Sequence, residues 1–146
     1  MPLRSRPLVG GQAEGPFLRL THPISFWGGV DPVAGTIVDP RHPQFGASIA
    51  GAVLLIPAAV GSSSSSAIML ELLRERTAPA AILMGRPDAI LALGVVVGNE
   101  LGYPPIPVLA VSMDDVHAGD SASWTDGTVL VVQADGSVTR KTFVDG

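Results

Sequence analysis

One stretch limits the folds open to this chain more than any other: GAVLLIPAAVGSSSSSAIMLELLRE, residues 51–75. Ala52 to Ile56 is a short apolar run, β-branched enough to be a buried strand. Pro57 to Val60 carries the chain to Gly61, and five serines follow, Ser62 to Ser66. Behind them the spacing predicts an amphipathic helix, with Ile68, Leu72 and Leu73 on one face and Glu71, Arg74, Glu75 and Arg76 turned to solvent. The next apolar run, Ala80 to Met84, reads as a second buried strand after Pro79. Strand, helix and strand in that order make a crossover unit, so the two strands are expected to be parallel neighbours. The turn between the first strand and its helix then presents backbone N–H groups at a helix N-terminus, a setting that holds anions and stabilises an alkoxide. A flexible linker is the competing reading of a serine run. Two strongly apolar flanks argue against it, and a plain N-cap accounts for one serine, not five.

The rest of the chain is read around that unit. Residues 7–20 suggest two short strands about a turn at Gly15-Pro16. Residues 21–51 are dense in Gly and Pro yet carry Phe26, Trp27, Val30, Ile37 and Phe45, which predicts an ordered loop region without helix. Trp27 is expected to be a packed aromatic, and Gly28-Gly29 to permit close backbone approach. Asp88 reads as the N-cap of a helix over Ala89–Leu101, largely buried or partly strand, because ILALGVVVG is apolar all round. Pro107 to Val111 predicts a third strand. Asp114, Asp115, His117 and Asp120 fall in a polar loop that reads as a solvated turn. Thr128–Val132 and Val138–Phe143 flank Ala134-Asp135-Gly136 as a hairpin. The sum is one compact α/β domain over residues 1–146.

Composition removes several functions. The formal net charge of −4, with no basic cluster, speaks against nucleic acid. There is no cysteine, hence no disulfide, no thiol nucleophile and no iron–sulfur ligand from this chain. His22, His42 and His117 are too scattered in sequence to suggest a metal site. The N-terminus lacks the apolar core of a signal peptide, and Arg86, Pro87 and Asp88 break the run Ile82 to Val97 so that no helix there can span a membrane; a soluble, cytoplasmic protein is expected. At 47% hydrophobic and 15% charged residues, the chain is apolar enough that a partner is expected to cover part of its surface. A serine hydrolase lacks its second glycine, since Gly61-Ser62-Ser63-Ser64 replaces the nucleophile elbow, and a phosphate-binding loop lacks its lysine.

Several motifs in order resemble one family. Pro23-Ile24-Ser25-Phe26-Trp27-Gly28-Gly29-Val30-Asp31-Pro32, His42-Pro43, Ser48-Ile49-Ala50-Gly51, Gly61 with Ser62 to Ser66, Ala78-Pro79-Ala80-Ala81-Ile82 and Ile90-Leu91-Ala92-Leu93-Gly94 are similar to the swivel domain, or small subunit, of the aconitase X family. The likeness runs from about Val9 to Val111. It implies a swivelling β/β/α domain with a mixed, barrel-like sheet and two main helices, closing over a site built mainly by a larger aconitase-like catalytic subunit. That partner is expected to carry the iron or iron–sulfur centre, with no cofactor bound by this chain. The family dehydrates small hydroxy acids: cis-3-hydroxy-L-proline in bacterial members, 5-phosphomevalonate in archaeal ones. Its iron is a Lewis acid toward the departing hydroxyl, and a serine directly after a glycine takes the proton from carbon. The matching position is Ser62 as general base. Gly61, Ser63, Ser64 and Ser66 would then hold the substrate carboxylate or orient Ser62. Relatives commonly carry a basic residue just before the glycine, where this chain has Ala59-Val60, and their archaeal members interrupt the serines. Both departures favour hydroxyproline over a phosphorylated substrate. The alternatives are a phosphomevalonate dehydratase small subunit, or a non-catalytic ligand-binding or interaction domain.

Overall fold

The computed structural model describes residues 2–142. Among these residues, nine strands and four short or medium helices are arranged about one mixed sheet of seven strands. In chain order, β1 (Arg6–Val9) and β2 (Ala13–Arg19) precede a helical turn, α1 (Phe26–Gly29), and the small hairpin β3 (Val30–Asp31) and β4 (Thr36–Ile37). Then come β5 (Val53–Ile56), α2 (Ser65–Glu75), β6 (Ala81–Met84), α3 (Ala89–Glu100) and β7 (Val108–Ala110). The short helix α4 (Met113–Val116) and a 3₁₀ turn at Gly119–Ser123 lead to the hairpin β8 (Val129–Val132) and β9 (Val138–Arg140). Phe143, expected in that hairpin, lies outside the described residues.

The sheet order is β1-β7-β6-β5-β2-β8-β9. β5 and β6 are parallel neighbours, with Leu54 opposite Ile82 and Ile56 opposite Met84, and β7 continues the parallel set. Four-residue strands buried throughout read as continuous apolar runs because both faces are covered. Their side chains alternate. Leu54, Ile56, Ile82 and Met84 face α2 and α3, while Val53, Leu55, Ala81 and Leu83 face the inside of the curl with Phe17, Trp124 and Leu130. Each fully buried large aliphatic side chain contributes about 1.5–3 kcal/mol. Leu3 exchanges both backbone hydrogen bonds with Val138, each 2.9 Å, so the segment entering β1 reaches β9 and the sheet curls toward closure.

Three expectations change. Gly15-Pro16 is not a turn: both residues lie inside β2, and the chain reverses at residues 10–12 instead. Gly15 serves a close approach, since a Cβ there would lie 2.3 Å from the Gly51 carbonyl oxygen. Pro16 marks the point where β2 passes from β8, paired through residues 13–16, to β5, paired through 17–19. A proline is tolerated where one side of the strand has no ladder to donate to. The buried face of α2 centres on Met69, Leu72, Leu73 and Ser65, with Ile68 at its edge. And α3 is helical throughout but only half-buried: Leu93, Val96, Val97 and Leu101 are exposed, while Leu91, Gly94, Val95 and Gly98 face inward. As predicted, Asp88 caps it, its carboxylate accepting the Ile90 N–H at 2.7 Å.

The two main helices touch through glycine. A Cβ on Gly94 would lie 2.7 Å from the Ser66 carbonyl oxygen and 2.9 Å from Met69 Cβ, and one on Gly98 would lie 2.7 Å from Leu73 Cδ1. Bulk on this seam forces the helices apart. Gly94→Val is expected to lower stability by about 1–3 kcal/mol, the ordinary cost of overpacking, read as a loss in denaturant midpoint with unchanged slope.

Candidate active site

Beyond Ile56 the chain stays extended and gains a new neighbour. The Ile24 N–H donates to Ala58 O at 3.2 Å and the Val60 N–H donates to Ile24 O at 3.0 Å, while Gly85 and Arg86 N–H groups donate to Ile56 O and Pro57 O, each at 3.0 Å. The chain then breaks away at Gly61, whose φ of +100° is left-handed. A Cβ at this position would lie 2.5 Å from Ser25 Oγ, so glycine is required twice over, for its backbone angle and for its missing side chain. This turn delivers the serines to the carboxyl end of the parallel strands, the usual place for ligands in such sheets.

The five serines divide their work. Ser65 is buried, and its Oγ accepts the Trp27 N–H at 3.3 Å, tying α2 to the preceding loop. Ser66 Oγ donates to Ser63 O at 3.0 Å and holds the turn. Ser64 stands at the N-cap position with helical angles and no capping side chain. Ser62 does that work from two residues back: its Oγ accepts the Ser64 N–H at 3.0 Å. Ser62 and Ser63 are exposed, and among the described residues no hydrogen bond engages their own amides. The site thus combines an exposed hydroxyl oxygen that already receives one N–H, two free N–H donors, and the positive end of the helix. Hydrogen bonds to an ionised oxygen and a helix N-terminus both favour the charged form.

Around the serines, Phe26 is buried and Gly28, with φ +81°, turns the chain sharply so that Trp27 is thrown outward. Trp27 is 54% exposed, which overturns the expectation of a packed aromatic. Its carbonyl accepts from Ser25 Oγ at 2.9 Å, so Ser25 braces both Trp27 and Gly61; neither Ser25 nor the Ser65 contact was visible in spacing. Val60, also exposed, stands beside Gly61.

Of the three scattered histidines two come together, and the third, His117, stands apart at the end of α4. His22 and His42 come together at 6.3 Å between ring centroids, in a cleft of about 370 Å³ shared with Asp39 and Arg41. His42 is buried and its Nδ1 accepts the Gln44 N–H at 3.1 Å, which occupies the lone pair that a metal would need there. The Arg41 N–H bonded to the Asp39 carboxylate at 2.9 Å holds that carboxyl below its ordinary range. Asp114 and Asp115 sit on α4, whose Val116 packs in the inner core, on the opposite face of the sheet from α2. Among the described residues, no hydrogen bond joins Ser62 to a histidine or a carboxylate, and no three His, Asp or Glu side chains are grouped to hold a metal. No helix among them is long and apolar enough to cross a membrane.

A family model of the aconitase X swivel domain matches residues 2–139. The chain belongs to that family. A cis-3-hydroxy-L-proline dehydratase of Pseudomonas aeruginosa is 42% identical over 124 residues, covering 84% of this chain and 21% of the relative. A phosphomevalonate dehydratase small subunit of Methanothrix thermoacetophila is 36% identical over 138 residues, covering 94% and 98%. The crystal structure of Thermococcus kodakaraensis aconitase X superposes with a TM-score of 0.80 at 33% identity, over 97% of this chain and 99% of that one. The chain therefore spans about a fifth of the hydroxyproline dehydratases it matches and nearly all of that archaeal small subunit. The fold of this swivel domain, a curled mixed sheet with its two main helices on one face, is the one that the family's motifs imply.

The seating of the serine turn against Ser25 gives a direct test. Gly61→Ala is expected to displace residues 61–63 while leaving the sheet intact. Amide chemical shifts of Ser62, Ser63 and Trp27 then move while those of β6 and β8 do not.

Proposed function

We propose that this chain is the swivel-domain component of an aconitase-X-type hydro-lyase, with its residues 1–146 acting as one unit. It dehydrates a small hydroxy acid, cis-3-hydroxy-L-proline, in company with a large aconitase-like subunit. The observation that carries this reading is the state of Ser62: exposed, placed directly after a left-handed glycine, with its Oγ receiving the Ser64 N–H at 3.0 Å at the start of an eleven-residue helix. A serine hydroxyl is a base only as its alkoxide, and this oxygen has a fixed donor and the helix end to stabilise that charge. Ser62 Oγ takes the proton from the carbon adjacent to the one that loses its hydroxyl. The electron pair of the C–H bond forms the double bond, and the net loss is water.

The free amides of Ser62 and Ser63 suit the substrate carboxylate, an anion at a helix N-terminus. Ser63 is exposed and can join them, whereas Ser66 Oγ is engaged with Ser63 O and shapes the turn, as Gly61 does. Ser64 supplies its N–H to Ser62 rather than its hydroxyl to the helix. From Gly51 to Leu73 there is no Lys or Arg, so the loop meets a carboxylate with neutral donors, which suits an amino acid better than a phosphorylated substrate. A phosphomevalonate dehydratase small subunit is the second reading, favoured by the 98% coverage of such a subunit.

The family's iron or iron–sulfur centre does not fit the residues of this chain. There is no cysteine, and no ligand group of three occurs among the described residues. The centre would then belong to the large subunit, where it would supply Lewis-acid chemistry toward the departing hydroxyl. That subunit is expected to cover the rim made by Trp27 and Val60, both exposed beside the serine turn.

The test is Ser62→Ala in the complex reconstituted with the large subunit, assayed on both cis-3-hydroxy-L-proline and 5-phosphomevalonate. Turnover of hydroxyproline is expected to fall at least about 10²-fold, the lower range for a lost general base, with subunit association unchanged and stability lowered only by the lost cap to the Ser64 N–H, about 0.5–2 kcal/mol. Full activity in the variant removes Ser62 from the role. Turnover by the unaltered complex of phosphomevalonate alone replaces the substrate.

A further inference from the structure

The guanidinium of Arg19 is an anomaly. Its Nε and Nη2 are buried with no hydrogen-bond partner. Arg19 is part-exposed as a residue, but buried N–H groups of this kind are costly unless something accepts from them. Arg19 ends β2, two residues after Phe17 on the same face, and its guanidinium carbon stands 5.7 Å from the centroid of the Phe17 ring, itself packed edge-on against Trp124. That contact engages the cation's charge and leaves the Nε and Nη2 hydrogens without an acceptor.

The side-chain acceptors close by each take one backbone N–H, and Asp126 Oδ2 takes no hydrogen bond among the described residues. Gln44 Oε1 receives the Thr21 N–H and Asp126 Oδ1 receives the Arg19 main-chain N–H, both at 2.9 Å. Gln44 Nε2 donates to Arg19 O. Together Arg19, Thr21, Gln44, Trp124, Thr125 and Asp126 line a cleft of about 450 Å³. The same molecule shows what the unused edge does when it is served: Nε and Nη2 of Arg74 grip the Glu71 carboxylate with bonds of 3.1 and 2.8 Å.

We propose that this cleft is a carboxylate-binding site in which the Nε–Nη2 edge of Arg19 takes a carboxylate in the fork-on-fork manner of Arg74 with Glu71. Both atoms are closed off in the free chain, so binding includes a small rotation of Arg19 or an outward shift of the Thr125–Asp126 turn. The negative charge of Asp126 on the same cleft selects a monoanionic carboxylate over a doubly charged phosphate. Arg19 lies beside Leu55 in the parallel ladder, but its side chain points to the inner-core face, away from α2, so this site is separate from the serine turn.

The carboxylate can belong to a small molecule or to an acidic side chain of another protein, and two probes distinguish them on the full chain. Sodium acetate stands for the first and N-acetyl-glutamate α-amide for the second, each against sodium chloride at equal ionic strength. The readout is the side-chain Nε–H resonance of Arg19, assigned by its loss in Arg19→Met. A saturable shift with acetate alone indicates a small-molecule site, and a shift with both probes indicates a site that admits a protein side chain. Arg19→Lys keeps the charge but loses the fork, and is expected to weaken the effect at least tenfold, read as the rise in thermal midpoint with acetate over chloride. A shift that chloride reproduces, an equal response in Arg19→Lys, or no shift with either probe overturns the proposal.

Discussion

The candidate site depends on a two-bond bridge made by one residue. Ile24 donates to Ala58 and accepts from Val60, and in doing so it extends the sheet past the last residue of β5 for just long enough to reach Gly61. Without that neighbour, Pro57 to Val60 would be an exposed strand end with its polar groups unpaired on one side, and unpaired backbone is expensive to hold rigid. Ile24 is itself fully packed in the outer core. The bridge therefore transmits the rigidity of the core to a surface turn. Ser25, next in sequence, lies under Gly61, and Trp27 follows with its N–H on Ser65. One short segment braces the serine turn at three successive points.

Residues 21–51 thus have a purpose that their composition hides. Prolines and glycines in such number predict an ordered loop without saying what it supports, and the loop is the outer wall of the serine turn. Its own stability comes from small local devices. Asp31 accepts the Val33 and Ala34 N–H groups, the Gly35 amide bonds back to Asp31 O, and Thr77 Oγ1 ties Pro32 O to the end of α2. A rigid loop on a packed sheet can hold an exposed aromatic such as Trp27 in a fixed place, at little cost in conformational entropy when a partner arrives.

Much of this fold could be read from residues, and the failures have physical causes. The β5–α2–β6 crossover was legible because apolar runs, a serine punctuation and a helical period each pointed the same way. Asp88 as a cap and the Asp135-Gly136 hairpin were legible because they are local chemistry. Gly15-Pro16 misled because turn residues are also the residues that tolerate a close backbone or a change of strand partner, and only tertiary structure separates these uses. The burial of α3 misled for a related reason: its apolar count is high all round, but the side that packs is the side with Gly94 and Gly98. At the serine turn the pattern identified the place without dividing the labour. Which oxygen stays exposed and which is buried depends on Trp27, nearly forty positions away in sequence.

The contact between Leu3 and Val138 has a wider consequence. An open sheet of seven strands has two margins whose amides and carbonyls can recruit strands from other molecules, and these margins are where soluble proteins begin to form fibres. Here the segment before β1 is zipped to β9, so the two margins of the sheet shield one another. The same closure brings the beginning of the described chain beside its final strand. Neighbouring ends of this kind let a domain be carried within a longer polypeptide without disturbing its interior, an arrangement compatible with relatives in which the matching stretch is about a fifth of the length.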